Sequence, residues 1–182
     1  MPRLRIAYVL AAIGAPVLTA AALSTAPQSD RIAVSGVFSM KVGQQQALPV
    51  GDQAGPVLLL TQSAGTNRNT GKSDYMDGAE VINREIADLT QGNGSHQGYL
   101  TEIKGADTSL ARWHGKVATT LGPDQKPVTS FEGTWSKVGG TGKYAGVSGT
   151  GRYQGRMLSP TDYTVEWSGE IVTQRTALRR TP

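Results

Sequence analysis

Two polar residues stand out as able to act on a bound molecule. They are Asn83 and Glu85, in the run Gly78–Thr90, GAEVINREIADLT. Read with a period of two, Val81, Asn83, Glu85, Ala87 and Leu89 share one face, and Ile82, Arg84, Ile86, Asp88 and Thr90 share the other. If the Val81/Leu89 face points inward, Glu85 is buried. A buried carboxyl needs a partner, and burial raises its pKa, which suits a general acid. If Ile82 and Ile86 point inward instead, Glu85 faces water. The register is open from sequence alone.

The other candidates are aromatic. Trp113, Trp135 and Trp167 each fall on the more apolar face of an alternating run. They can fill a core, or they can line a cavity for a hydrophobic ligand. Tyr99 and Tyr163 also share faces with apolar residues and could offer hydroxyls to that ligand. Glu132 and Glu166 alternate with Trp135 and Trp167 and are expected to face solvent.

Metal and nucleophile chemistry find little support. There is no Cys, and the two histidines are His96 and His114. Asp74, Asp77 and Glu80 have a spacing that suits one helix face, but they sit where a loop and a strand start are expected, and no calcium-loop pattern surrounds them. No metal and no cofactor is expected. No nucleophile-elbow motif accompanies the many Ser and Asp residues. The formal net charge is +4, yet no basic stripe interleaves with stacking aromatics, so nucleic acid is not an expected partner. Arg175, Arg179 and Arg180 read as a solvated tail.

What positions these residues is a set of strands. The chain has 182 residues, 23 of them Gly, and only 18% are charged. Residues 1–26 have a basic start at Arg3 and Arg5, an apolar run Ile6–Leu23 and small residues up to Ala26, the pattern of a cleaved secretory signal. Export, to the periplasm or outside, follows as an expectation, with no stable membrane anchor after cleavage. Residues 27–182 then form one domain.

Period-2 runs near 31–42, 56–68, 78–91, 95–104, 108–121, 127–138, 142–157 and 162–174 are separated by Gly, Pro and Asp turns such as Gly92-Asn93-Gly94 and Gly122-Pro123-Asp124. The 78–90 segment can also be read as a helix. Short connections favour antiparallel hairpins, and eight strands with no helical layer can hide their edges by closing into an up-and-down barrel. A two-sheet sandwich is the alternative.

The unit Gly-Thr-Gly-basic-Tyr occurs twice, in Gly140-Thr141-Gly142-Lys143-Tyr144 and Gly149-Thr150-Gly151-Arg152-Tyr153. No βαβ pattern surrounds it, so it is not a dinucleotide loop. Gly at this density weakens a strand unless it permits a bend or a close approach, and Tyr144 and Tyr153 could cover bare glycines on adjacent strands.

This segment, within 131–157, resembles the Gly-rich hairpin of the allene oxide cyclase and dirigent barrel superfamily. The stretch Thr66–Tyr99 resembles exported bacterial proteins. The resemblance implies a barrel whose mouth admits a small, largely apolar molecule. In plant cyclases such a barrel shapes an epoxide for ring closure, and in dirigent proteins it orients phenolic intermediates. No plant catalytic residue matches a position here. Three roles follow as expectations: binding of a small hydrophobic ligand, a cofactor-independent cyclase or isomerase, or a structural envelope protein, the last able to act as a homo-oligomer.

Overall fold

The computed structural model describes residues 29–51 and 55–174. The export segment 1–26 and the arginines at 175, 179 and 180 lie outside them. Eight strands follow in order: β1 (Ser29–Pro49), β2 (Val57–Asn69), β3 (Glu80–Thr90), β4 (Asn93–Lys104), β5 (Asp107–Leu121), β6 (Pro127–Thr141), β7 (Ser148–Met157) and β8 (Asp162–Gln174). Each pairs antiparallel with its neighbour in sequence, and β8 closes on β1 from Ser29↔Gln174 to Lys41↔Asp162. The result is a closed up-and-down barrel rather than a sandwich, and Gly78–Thr90 supplies a strand rather than a helix. Among the described residues no helix is long and apolar enough to cross a membrane.

Alternation sets what faces inward. On β1, Val34, Phe38 and Met40 are buried while Ala33, Ser39 and Lys41 are exposed. The interior is crowded by aromatic rings laid across glycines of the neighbouring strand. A Cβ at Gly151 would come within 2.3 Å of the Trp135 ring, and one at Gly36 within 2.7 Å of the Trp167 ring. Only a residue without a side chain lets those indoles lie flat on the wall. Tyr153 does the same on its own hairpin side, its hydroxyl 2.5 Å from a Cβ built at Gly115 or at Gly133.

Two strands differ from the sequence expectation. β1 runs past residue 42 to Pro49, because a bulge between Val42 and Gln44 carries it into a hairpin extension with Val57–Gln62, beyond the reach of β8. The run expected to start at 142 starts at Ser148. Gly142–Tyr144 is instead one turn of 3-10 helix, with Gly142 at φ +60 where Asp107 Oδ1 accepts from the Lys143 N–H. Tyr144 therefore covers no strand glycine with its ring and packs edge-on against Tyr75, centroids 5.0 Å apart.

The two ends of the barrel differ. At the end holding the β2–β3, β4–β5 and β6–β7 connections, Tyr75, Met76, Tyr144 and Val147 are buried and close the floor. The β2–β3 loop is tied inward by two asparagines. Asn67 Nδ2 donates to Met76 O at 2.9 Å, and Asn69 Nδ2 donates to Ser73 O at 2.7 Å and Tyr75 O at 2.9 Å. The opposite end is the mouth, rimmed by the remaining hairpin turns.

Candidate functional site

Between floor and mouth lies a cavity of about 230 Å³. Phe38, Trp113, Phe131, Trp135, Tyr163 and Trp167 form most of its aromatic wall. The rings pack mutually edge-on or offset, for example Trp135 with Trp167 at 6.3 Å and Phe38 with Trp167 at 5.4 Å, so they hold one another in place. The cavity lies below the roughly 300–1,000 Å³ usual for drug-sized ligands, which points to a compact guest.

β3 presents its Val81/Leu89 face inward, the first of the two registers open from sequence. Asn83 and Glu85 therefore both line the cavity. Asn83 Oδ1 accepts from Trp113 Nε1 at 2.9 Å, and Asn83 Nδ2 donates to the Tyr163 hydroxyl at 3.4 Å. Asn83 thus fixes two of the rings on which a guest would rest.

Glu85 heads a relay. Its Oε1 is 2.9 Å from His96 Nδ1, and His96 Nε2 is 3.0 Å from the Tyr153 hydroxyl. In the tautomer whose Nδ1–H donates to Glu85, Nε2 is free to accept from the Tyr153 O–H, so a single ring can serve both neighbours. The His96 side chain is 4% exposed and that of Glu85 21%, so the carboxyl is more accessible than the imidazole it holds. Burial, then the nearby Glu85, pushes the Tyr153 pKa above the usual phenol value. Burial raises Tyr163 as well. Such a relay can take a proton at Glu85 and spread the change over three side chains.

A second polar cluster sits at the floor. Lys137 Nζ lies 2.6 Å from Glu102 Oε2, with side chains 5% and 1% exposed. The Tyr75 hydroxyl donates to the same Oε2 at 3.1 Å and also bonds Ser109. Burial, then the Glu102 charge, drives the Tyr75 pKa far above its usual value.

Of the ligand-contact residues expected from sequence, Trp113, Trp135, Tyr163 and Trp167 are brought together on this cavity. Tyr99 is not. It is 50% exposed on the outer wall, because Gly98 and Leu100 take the inward positions of β4. Glu132 and Glu166 face outward, Glu166 accepting from Gln154 at 3.2 Å. His96 and His114 lie on opposite faces of the wall, and among the described residues no three His, Asp or Glu side chains cluster as metal ligands. Asp77 braces the floor loop, its Oδ1 accepting from the Asn69 N–H.

Sequence reasoning passed over Glu102, Lys137, Tyr75 and Ser109, and weighed His96 only as a metal ligand. Parity carried some of that signal: Lys137 stands two residues beyond Trp135, and Glu102 shares a face with Gly98 and His96.

No protein-family model matches the chain, and no curated protein matches it. Solved structures do. The pterocarpan synthase dirigent protein GePTS1 is 13% identical, with 86% of this chain and 98% of that chain covered and a TM-score of 0.42. The pterocarpan synthase dirigent protein PsPTS1 is 16% identical, covering 82% and 97% at a TM-score of 0.39. A pyocyanin demethylase is 17% identical, covering 74% and 99% at 0.37. Two of these three are named as dirigent proteins, and none is named as an allene oxide cyclase. At such identities and scores, chemistry has to be read from this chain's own residues.

Proposed function

We propose that the protein takes up one small, largely apolar molecule inside the barrel. The observation that carries this is the cavity of about 230 Å³ walled by three tryptophans, which a purely structural barrel would fill. Export through residues 1–26 would place that cavity in a secreted or periplasmic setting. The test is mass spectrometry of small molecules that co-purify with the protein and with Trp113→Ala and Trp167→Ala. Loss of the guest from both variants is expected. Retention of the same molecule by both contradicts the pocket.

A second reading, a cofactor-independent isomerase or cyclase, is favoured by one specific feature. Glu85, His96 and Tyr153 form a hydrogen-bonded acid–base relay on an otherwise aromatic wall. Glu85 is the residue that would touch substrate, with His96 and Tyr153 positioning it. Turnover that falls with Glu85→Gln while guest binding persists would separate this role from binding alone.

A further inference from the structure

The charge pair at the floor has no part in the relay, yet it lines the same cavity. Glu102, Lys137 and Trp135 all line the cavity. Lys137 has three N–H groups and gives one to Glu102 Oε2. Its Nζ sits 5.0 Å from the centre of the Tyr75 ring and 5.4 Å from that of Trp135, which holds the ammonium among π-faces. Two atoms of this cluster are buried without a hydrogen-bond partner: Glu102 Oε1, an acceptor, and Trp135 Nε1, a donor. Buried polar groups are seldom left unpaired, and those that are tend to mark a site.

The missing partner can be described by chemistry. A guest carboxylate or ammonium would meet one like charge of the Glu102–Lys137 pair as well as the opposite one and would leave a net charge in a buried site, so an uncharged head is favoured. A hydrocarbon would leave both atoms unmet. A carbonyl oxygen accepts from Trp135 Nε1–H and from Lys137. As charge builds on that oxygen, Lys137 can pass it a proton, and the enol O–H so formed can donate to Glu102 Oε1 until the proton returns to Lys137 as the carbonyl re-forms.

We infer that the Glu102–Lys137–Trp135 cluster holds the carbonyl oxygen of a compact, uncharged ketone or aldehyde, on which the Glu85 relay acts. This rests on the reading of the barrel as ligand-binding. Glu85 removes a proton from the carbon beside the carbonyl. The C–H electron pair becomes a C=C bond, and the carbonyl π pair moves onto oxygen, where Lys137 and Trp135 meet the growing charge. Glu85 returns the proton to that carbon or, in an enone, to the conjugated one. Nothing is oxidised or reduced, and no cofactor enters.

The probes are 1-tetralone and tetralin, alike in shape and differing in the carbonyl, measured by isothermal titration. The ketone is expected to bind roughly ten-fold tighter, about the effect of one buried hydrogen bond. Lys137→Met and Trp135→Phe should each weaken ketone binding more than tetralin binding, so that the ratio between the two probes falls toward one. Trp135→Phe keeps an aromatic ring and serves if Lys137→Met fails to fold. Exchange of the C2 hydrogens of 1-tetralone for deuterium should be accelerated by the protein and lost in Glu85→Gln. Equal binding of the two probes, or a ketone preference untouched in both variants, overturns the carbonyl site while the pocket stands. Binding of neither probe overturns the pocket itself. Ketone preference without accelerated exchange overturns the catalytic step.

Discussion

The floor and the mouth of this barrel are both built from hairpin connections of one sheet, yet they treat apolar side chains in opposite ways. At the floor, Tyr75 and Met76 are 2% and 0% exposed, folded inward by Asn67 and Asn69. At the mouth, Leu48, Leu121 and Leu158 are 61%, 66% and 62% exposed on the hairpin tips. A loop long enough to fold back, with two amides to tie it, makes a plug. A tight turn cannot, and its side chains stay on the rim. Among the described residues the consequence is a chamber closed at the floor rather than a pore, with its charged pair at the deep end and the Glu85 relay along its wall.

That contrast sets a ranking of effects. Tyr75→Ala should be the most damaging, about 3–5 kcal/mol by urea denaturation, because it removes a buried ring and strands Glu102 and Ser109. An intact melting midpoint in that variant would mean that the floor is not a structural plug.

Gly151→Ala should follow at about 1–3 kcal/mol, since its Cβ would collide with Trp135 and with the Ser168 carbonyl. Gly139→Ala, with nothing within 4 Å of its Cβ, should sit within about 0.5 kcal/mol of the parent in the same assay.

Alkali gives a third effect. Tyr75, Tyr153 and Tyr163 all have raised pKa values in the fold, whereas unfolded tyrosines ionise near 10. The folded state holds those protons more tightly, so stability is full below about pH 10 and falls as pH rises above it. For Tyr75 alone the slope approaches about 1.4 kcal/mol per pH unit. Urea midpoints from pH 9 to 11.5 should decline, and Tyr75→Phe should decline less steeply.

Leu121→Ala at the mouth should change stability least, within about 0.5 kcal/mol. A larger loss would mean that the rim is packed against something.

Much of the barrel could be read from alternation and turn residues, because the inward positions from Ile32 to Val42 on β1 and from Tyr163 to Ile171 on β8 are apolar or Gly. The places that resisted have physical reasons. The Gln44–Pro49 extension lacks an alternating apolar face, since only β2 pairs with it there. Tyr99 misled because β4 carries apolar residues on both faces, Leu100 within and Ile103 without. Glu102 and Lys137 lie 35 residues apart and meet only across β4, β5 and β6, so neither strand alone explains a charge pointing inward. The relay had the same obscurity: Glu85 was visible as a candidate, but His96 and Tyr153 reach it from β4 and β7.

The chamber closed at the floor can be tested with a single thiol, since the chain has no cysteine of its own. Ala111→Cys places one on the cavity wall toward the floor, and Leu89→Cys places one near the mouth. Both are treated with a small uncharged thiol reagent, and the labelling rate is compared with the rate of global unfolding. Labelling of Cys at 111 in the folded protein, slower than at 89 but faster than unfolding, is the expected result. Labelling at 111 only as fast as the whole protein unfolds would show that no guest can reach the site.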